Sequence, residues 1–513
     1  MDLGGTWLAA PADDALRRTF AQPESVDDGW DAVEVPSPGG PKLYRRHFSA
    51  PAPVPGTRAW LVFDGLVSQG DVWLDGAYLG DTDGDFLRHT FEITDALRSR
   101  REHLLAVEVV SDVNGHERSG IVQPVHVDHT GPVRARSLRV LCREATDERA
   151  VIACRAELDS DANRPVIVRT VVGDHDESAE HPVAVGSNFV EWTVTVPRPA
   201  RWWPHALGDQ PMHDLTVEVF VDGVRSHTVH RRVGLRSVSL RDGVFTVNGE
   251  RLFVKGGAGL SPEHSRDAGL DLIRLPRIEW PAVYQSADEL GVLVWQDLPD
   301  RGSRKQLTRR VGGGVDFLGH HPSVIVWFGG RAARRAAEKA DGTRPVAGPG
   351  WPDLDDPVGL ARLVPRFVRF VDDLEGGRRE IESLRRIKYR PSGGFVLASP
   401  VDLDVTDGCR PVIVTADALA SPLKPGDAVA IDVHAVSDLR HDLVDARVDA
   451  LLSWPGGSHE WHWSGDVPAD ACVLVGTVQA VVANAPGELR LDVTLHAADH
   501  VATYGDRATV VSS

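Results

Sequence analysis

The 513-residue sequence predicts a multidomain chain, mostly β, with one α/β segment in its middle. Three observations predict this. Short alternating or apolar runs, broken by Gly, Pro and Asp, fill the chain up to about Arg236. From Val247 the grammar changes to apolar runs alternating with helical stretches, the pattern of a parallel βα sheet. From Phe395 short strands return.

The first region contains LYRRHF, AWLVFDGL, GDVWLDGAYLG and HLLAVEVV, each of strand length and without helical period. Asp75-Gly76 between VWL and AYLG is a hairpin turn signal. Strands at this spacing predict a sandwich or jelly roll over residues 1–140. The next segment, 141–237, continues with RAVIACRAEL, RPVIVRTVV, NFVEWTVTV, DLTVEVFVDG and SHTVHRRVGL. Together with SLRVLC just before it, this makes about seven strands in about 100 residues, the size of an immunoglobulin-like sandwich. In the third segment, 238–395, the runs LFVK, LDLIRL, VLVWQ and SVIVWF alternate with helical stretches. Pro281 is placed to start a helix and Gly291 to end it. Residues 358–390 are read as helical, with interruptions near Pro365 and Gly376-Gly377. The last segment, 396–513, reads as a second immunoglobulin-like sandwich.

Composition excludes several functions. At 42% hydrophobic and 25% charged the chain is that of an ordinary globular protein. A formal net charge of −18 repels phosphate backbones, so no nucleic-acid partner is expected. Cys142, Cys154, Cys409 and Cys472 have neither CxxC nor ligand-like spacing and are expected to be free thiols. The N-terminus lacks a basic stretch followed by an apolar core, and no apolar run reaches membrane-spanning length. A cytoplasmic location without membrane association is therefore expected. No cofactor is expected: Gly312-Gly313-Gly314 lacks the Lys-Ser/Thr of a phosphate loop. No metal is expected either, because on a strand the adjacent His320 and His321 would point to opposite faces.

The stretches YRRHF (44–48), FDGLVSQGDVWLDGAYLGDTDGDF (63–86), RWWPHALGDQPMHDLTVEV (201–219), VGLRSV (233–238), VNGERLFVKG (247–256), ELGVLVWQDLP (289–299) and HHPSVIVW (320–327) resemble, in order, glycoside hydrolase family 2, its β-mannosidase branch in particular. KYRPSGGF (388–395) resembles the segment that closes the barrel in some of these enzymes. The resemblance implies a jelly roll, an immunoglobulin-like sandwich, a (β/α)8 barrel and a second sandwich. It also implies a retaining mechanism, in which two carboxylates roughly 5 Å apart act as acid/base and nucleophile.

On that pattern the acid/base Glu follows the fourth barrel strand. Trp327 matches the motif's Trp, Phe328 its Cys and Gly329 its Gly, and Ala332 falls where the Glu should be. A methyl group donates no proton, and the guanidinium of neighbouring Arg331 stays protonated. A full barrel needs about 250 residues, whereas Val247 to Gly394 offers under 150. Between Trp327 and Lys388 only WPDLDDP and a helical region are read, with no further strand and no nucleophile segment. A truncated barrel is expected.

By the resemblance Arg274 sits near the nucleophile position, and Trp295 and Asp297 near the sugar pocket. With Trp327 these are the candidate substrate-binding residues, and a β-mannoside or related glycan is the implied ligand. Glu279 and Asp297 are the carboxylates that a rebuilt catalytic pair would use. Two functional readings stand: a carbohydrate-binding homologue without hydrolytic activity, and an exo-acting retaining β-glycosidase with a relocated pair. A third is a chain whose barrel remnant is marginally stable and binds nothing.

Overall fold

A computed structural model describes residues 1–110, 118–241, 244–347, 369–371, 377–386, 394–397 and 407–511. The N-terminal region is a jelly-roll sandwich. A six-stranded antiparallel sheet runs in the order Asp31–Val35, Gly5–Ala10, Leu43–Ser49, Glu102–Val110, Gln69–Leu74, Ala77–Asp83. It packs on a three-stranded sheet of Val125–Thr130, Arg58–Phe63 and His89–Glu92. Inward residues of both sheets, among them Trp7, Val72, Leu105, Leu61 and Val127, form one core. Asp75 and Gly76 take φ of 53° and 84°, the left-handed pair that a two-residue hairpin turn requires.

Seven strands between Val133 and Val233 form the next sandwich, three in one sheet and four in the other. Strict alternation along Arg149–Ser160 and Gly186–Pro197 sends Val, Ile, Leu and Ala into its core. Arg58 ties the two sandwiches together, reaching Glu92 and Asp159 at 2.6 Å each.

A three-stranded meander, Val238–Leu252, leads into the α/β segment. Its elements are β1 (Val254–Ala258), α1 (Pro262–Asp267), β2 (Leu272–Leu275), α2 (Pro281–Leu290), β3 (Leu293–Asp297), α3 (Arg304–Leu318), β4 (Val324–Phe328), α4 (Arg331–Ala340), β5 (Val346–Ala347), β6 (Arg369–Val371), α5 (Gly377–Arg386) and β7 (Gly394–Leu397). All strands are parallel, in the order β5-β4-β3-β2-β1-β7-β6. This is a curled, partial version of the eight-stranded barrel.

Two expectations need correction. The interval between Trp327 and Lys388 does contain strands: β5 and β6 pair with β4 and β7. Runs of two and three residues are too short to show a period, which is why the pattern misses them. The helical reading of 358–390 holds for α5, but β6 lies inside that span. WPDLDDP (351–357) and the KYRPSG portion of the closing motif lie outside the described residues. The remainder of that motif is β7, which pairs with β1 as a closing strand should. Gly394 makes the pairing possible: its φ is 141°, and a Cβ there would sit 1.9 Å from the Val254 carbonyl oxygen.

The helix signals have clear local causes. Pro281 opens α2, and Gly291, at φ 69°, ends it. A Ser303/Gln306 capping box starts α3. α1 has only six residues and is capped by Ser261, whose hydroxyl accepts from the His264 N–H. The three glycines 312–314 lie inside α3. A Cβ on Gly313 would come within 2.6 Å of Leu87 Cδ1, so the bare helix face lets the jelly roll approach. Trp202 is fully buried at the junction of sandwich and barrel, and its indole N–H donates to the Asp288 carbonyl at 2.9 Å. Among the described residues no helix is long and apolar enough to cross a membrane.

The C-terminal sandwich pairs a three-stranded sheet (Val412–Ala416, Ala428–Ser437, Cys472–Val481) with a four-stranded one (Gly457–Val467, Leu443–Trp454, Gly487–Ala497, His500–Val510). Trp454, Trp461 and Trp463 pack half-buried against its core. A Cβ on Gly476 would strike the Trp463 indole at 2.2 Å, so that ring is seated on the neighbouring strand.

Candidate active site

The site expected from the resemblance lies at the C-terminal ends of β2, β3 and β4. Parallel pairing sets Arg274 beside Trp295, Gln296 beside Trp327 and Asp297 beside Phe328. Strand ends present side chains there because the strand interiors, such as Val324 to Val326, are buried on both faces.

Arg274 and Asp297 form a two-point ion pair. Nη2 donates to Oδ2 at 2.8 Å and Nε to Oδ1 at 3.2 Å. The guanidinium also sits 5.2 Å from the centre of the Phe328 ring. Burial pushes the Asp297 carboxyl above the ordinary carboxylate range; hydrogen bonds from Arg274 and Trp295 pull the other way without cancelling it. Trp295 is 3% exposed and lies 5.7 Å from Phe328, ring to ring, so it offers a ligand little of its face.

The structure removes Trp327 from the ligand-facing set. It is 0% exposed, and its indole N–H donates to Asp341 Oδ2 at 2.9 Å. Asp341 also accepts from Thr343 and from Arg344, the latter at 2.6 Å, and these partners hold its carboxyl low against the opposing effect of burial. Trp327 is therefore a core residue that anchors the β4–α4 unit.

Glu279 is also committed elsewhere. Arg118 of the jelly roll reaches both its oxygens, at 3.0 and 2.8 Å, and Arg277 a third time at 3.2 Å. Its backbone N–H donates to the Tyr284 hydroxyl, which in turn donates to Gln296. The arrangement clamps the jelly roll to the barrel rim, where Phe86 meets Trp280 edge to face at 5.0 Å. The sequence reading missed Arg118 because the pair is separated by 161 positions.

Gly329-Gly330 follow β4, and Ala332 lies exposed in the first turn of α4. α4 has no side-chain N-cap and no acidic residue in its first turn. Asp300 stands beside this turn: a Cβ on Gly330 would lie 3.9 Å from Asp300 Cβ. Its charge also acts on Asp297. The sequence reading passed over it. His320 and His321 precede β4, and instead of facing apart their rings lie 4.2 Å apart, tilted by 36°. His321 Nδ1 meets Asp288 at 2.6 Å.

The architecture is that of a multidomain sandwich–barrel–sandwich chain, and comparisons with known proteins bear on its family. A model of the glycosyl hydrolase 2 galactose-binding domain-like family matches residues 41–146, and that of glycosyl hydrolases family 2 matches 134–236. These matches, over residues 41–236, support a glycoside hydrolase family 2, β-mannosidase-like protein. Beta-mannosidase B of Emericella nidulans is 24% identical over 366 residues, covering 56% of this chain and 43% of that protein. Exo-beta-D-glucosaminidase of Streptomyces avermitilis is 28% identical over 288 residues, covering 46% and 32%. The chain thus matches less than half the length of these curated relatives. Among solved structures, the Amycolatopsis orientalis exo-chitosanase superposes with a TM-score of 0.77 at 17% identity, covering 98% of this chain and 84% of that one. The Dictyoglomus thermophilum β-D-mannosidase gives 0.75 at 15%, covering 98% and 88%. These likenesses establish the fold.

Proposed function

We propose that this chain is a carbohydrate-binding family 2 homologue that has lost glycoside hydrolysis, organised as domains 1–140, 141–237, 238–395 and 396–513. The observation that carries the reading is Ala332, exposed in the first turn after β4 where the family pattern places its proton donor. Protonation of the leaving oxygen by a positioned acid is worth about 10²–10⁴ in rate, and an alanine supplies none of it. Asp297, at the end of neighbouring β3, is held in two-point contact by Arg274. Arg274 and Asp297, 24% and 13% exposed, remain as groups that bind a sugar hydroxyl. The relatives named as β-mannosidases and an exo-glucosaminidase make a β-mannoside or β-glucosaminide the ligand class to test.

Saturation-transfer NMR with mannobiose tests the reading, run beside a hydrolysis assay on the same preparation. Binding without product is the expected result; product formation overturns it.

One observation favours a second reading, an active enzyme with a relocated pair. Asp297 is biased toward the protonated form, and Asp300 stands beside the β4–α4 turn. On that reading, hydrolysis is present in the wild type and lost in both Asp297→Asn and Asp300→Asn.

A further inference from the structure

We propose that the crevice where the jelly roll, the first immunoglobulin-like sandwich and α3 meet is a binding site for a small oxyanion-bearing ligand, a sugar acid or sugar phosphate. It lies apart from the strand-end site and does not depend on the function proposed above.

Two connected hollows define it, of about 560 and 420 Å³, sharing Arg88, Arg231 and Phe317 in their walls. Volumes of this order hold a monosaccharide. The acids of the larger hollow are already engaged. Asp83 is taken by Arg309 and Arg310, and Asp316 by Arg139 at 2.6 Å. Arg88 is itself bound to Asp64 at 2.6 Å.

Arg231 is the exception. Its one hydrogen bond runs from Nη1 to the carbonyl of adjacent His230 at 2.8 Å, and among the described residues no carboxylate lies within 4 Å of it. Burial pulls its guanidinium down to about 10, and Arg88 adds to the effect. Asp64 and Asp316 act on it only from a distance; a partly desolvated cation with no carboxylate in contact is costly, and its planar fork matches a carboxylate or phosphate two-point. His89 stands in the same wall. Burial first, then Arg309, hold His89 down to about 4, and its Nε2 lacks a hydrogen-bond partner. On the opposite lip, Arg155 lies over Phe189 at 4.3 Å, and that ring is 61% exposed, an apolar surface for a sugar ring. A local cationic surplus in a chain of net charge −18 focuses anions on this crevice and away from the rest of the surface.

The test is calorimetric titration of the full chain with D-glucuronate, D-glucose 6-phosphate and, as neutral control, D-glucose. At least one of the acids binds one to one, at least about tenfold more tightly than glucose. Arg231→Gln weakens that binding about tenfold or more while leaving the unfolding midpoint unchanged or higher, since it removes an unpaired buried charge. Arg155→Gln, on the exposed lip, weakens it severalfold and serves as the second variant. Binding of glucuronate alone assigns a carboxylate ligand, and binding of the phosphate alone assigns a phosphorylated one. Neither acid outcompeting glucose, or both variants binding like wild type, overturns the proposal.

Discussion

Replacing Arg274 with Met gives the sharpest reading of the strand-end site. The variant keeps the length of the side chain and removes the charge, leaving Asp297 buried without its two-point partner. Removing one member of a buried ion pair costs about 3–5 kcal/mol. Here Arg274 and Asp297 side chains are 24% and 13% exposed, so water recovers part of the loss. A cost of about 2 kcal/mol follows, or roughly 4–8 °C in the unfolding midpoint of a unit this size. The penalty depends on pH. The folded-state pKa of Asp297 already stands above its ordinary value because of burial, so it is the ionised form that destabilises the fold. That destabilisation is absent below the ordinary carboxylate range and grows as pH rises through the folded value. Losing Arg274 raises the folded value further, so the gap between variant and wild type is small near pH 4 and full near pH 7. Scanning calorimetry at both pH values measures it, with the double variant Arg274→Met/Asp297→Asn recovering most of the loss. A gap that is independent of pH, or no gap at pH 7, refutes the reasoning.

Other outcomes follow from the same contacts. Asp341→Ala strands the 2%-exposed Arg344 and removes the acceptor of the Trp327 N–H, for a loss of about 3–5 kcal/mol by denaturant titration. In the wild type the Asp341 contribution is present above the ordinary carboxylate range and disappears as pH falls toward its depressed folded value, so the variant's deficit shrinks in acid. Gly394→Ala drives a Cβ against the Val254 carbonyl at a φ of 141°, costing roughly 3 kcal/mol or more and lowering the soluble yield. Ala332→Glu restores a carboxyl at the family position but yields no hydrolysis of an alkyl β-mannoside, because no second carboxylate is supplied with it. Appearance of turnover in that variant means a nucleophile is present.

The sandwiches were legible because alternation is a local signal: each strand of Val133–Val233 carries its own period. The α2 boundaries were legible for the same reason, since Pro281 and Gly291 act through their own backbones. β5 and β6 were not, because two or three residues have no period and are strands only through β4 and β7. Within the site, Arg274 and Asp297 could be placed by motif, but their mutual pairing is a consequence of neighbouring parallel strands in register. Trp327 was misread because a motif position says where a residue stands and not which way its ring faces; the Asp341 acceptor that fixes it lies 14 residues on. Arg118–Glu279 and the Arg231 crevice depend on inter-domain docking, for which the sequence has no short-range signature.

The claim that hydrolysis has been lost is tested most directly by the turnover of 4-nitrophenyl β-D-mannoside. Nitrophenolate departs with little help from an acid, so this substrate reports a nucleophile even without a proton donor at position 332. The account predicts release indistinguishable from buffer at high enzyme concentration over a day. Steady turnover near the ordinary enzymatic range of about 1 s⁻¹ or more, abolished by Asp297→Asn, contradicts it.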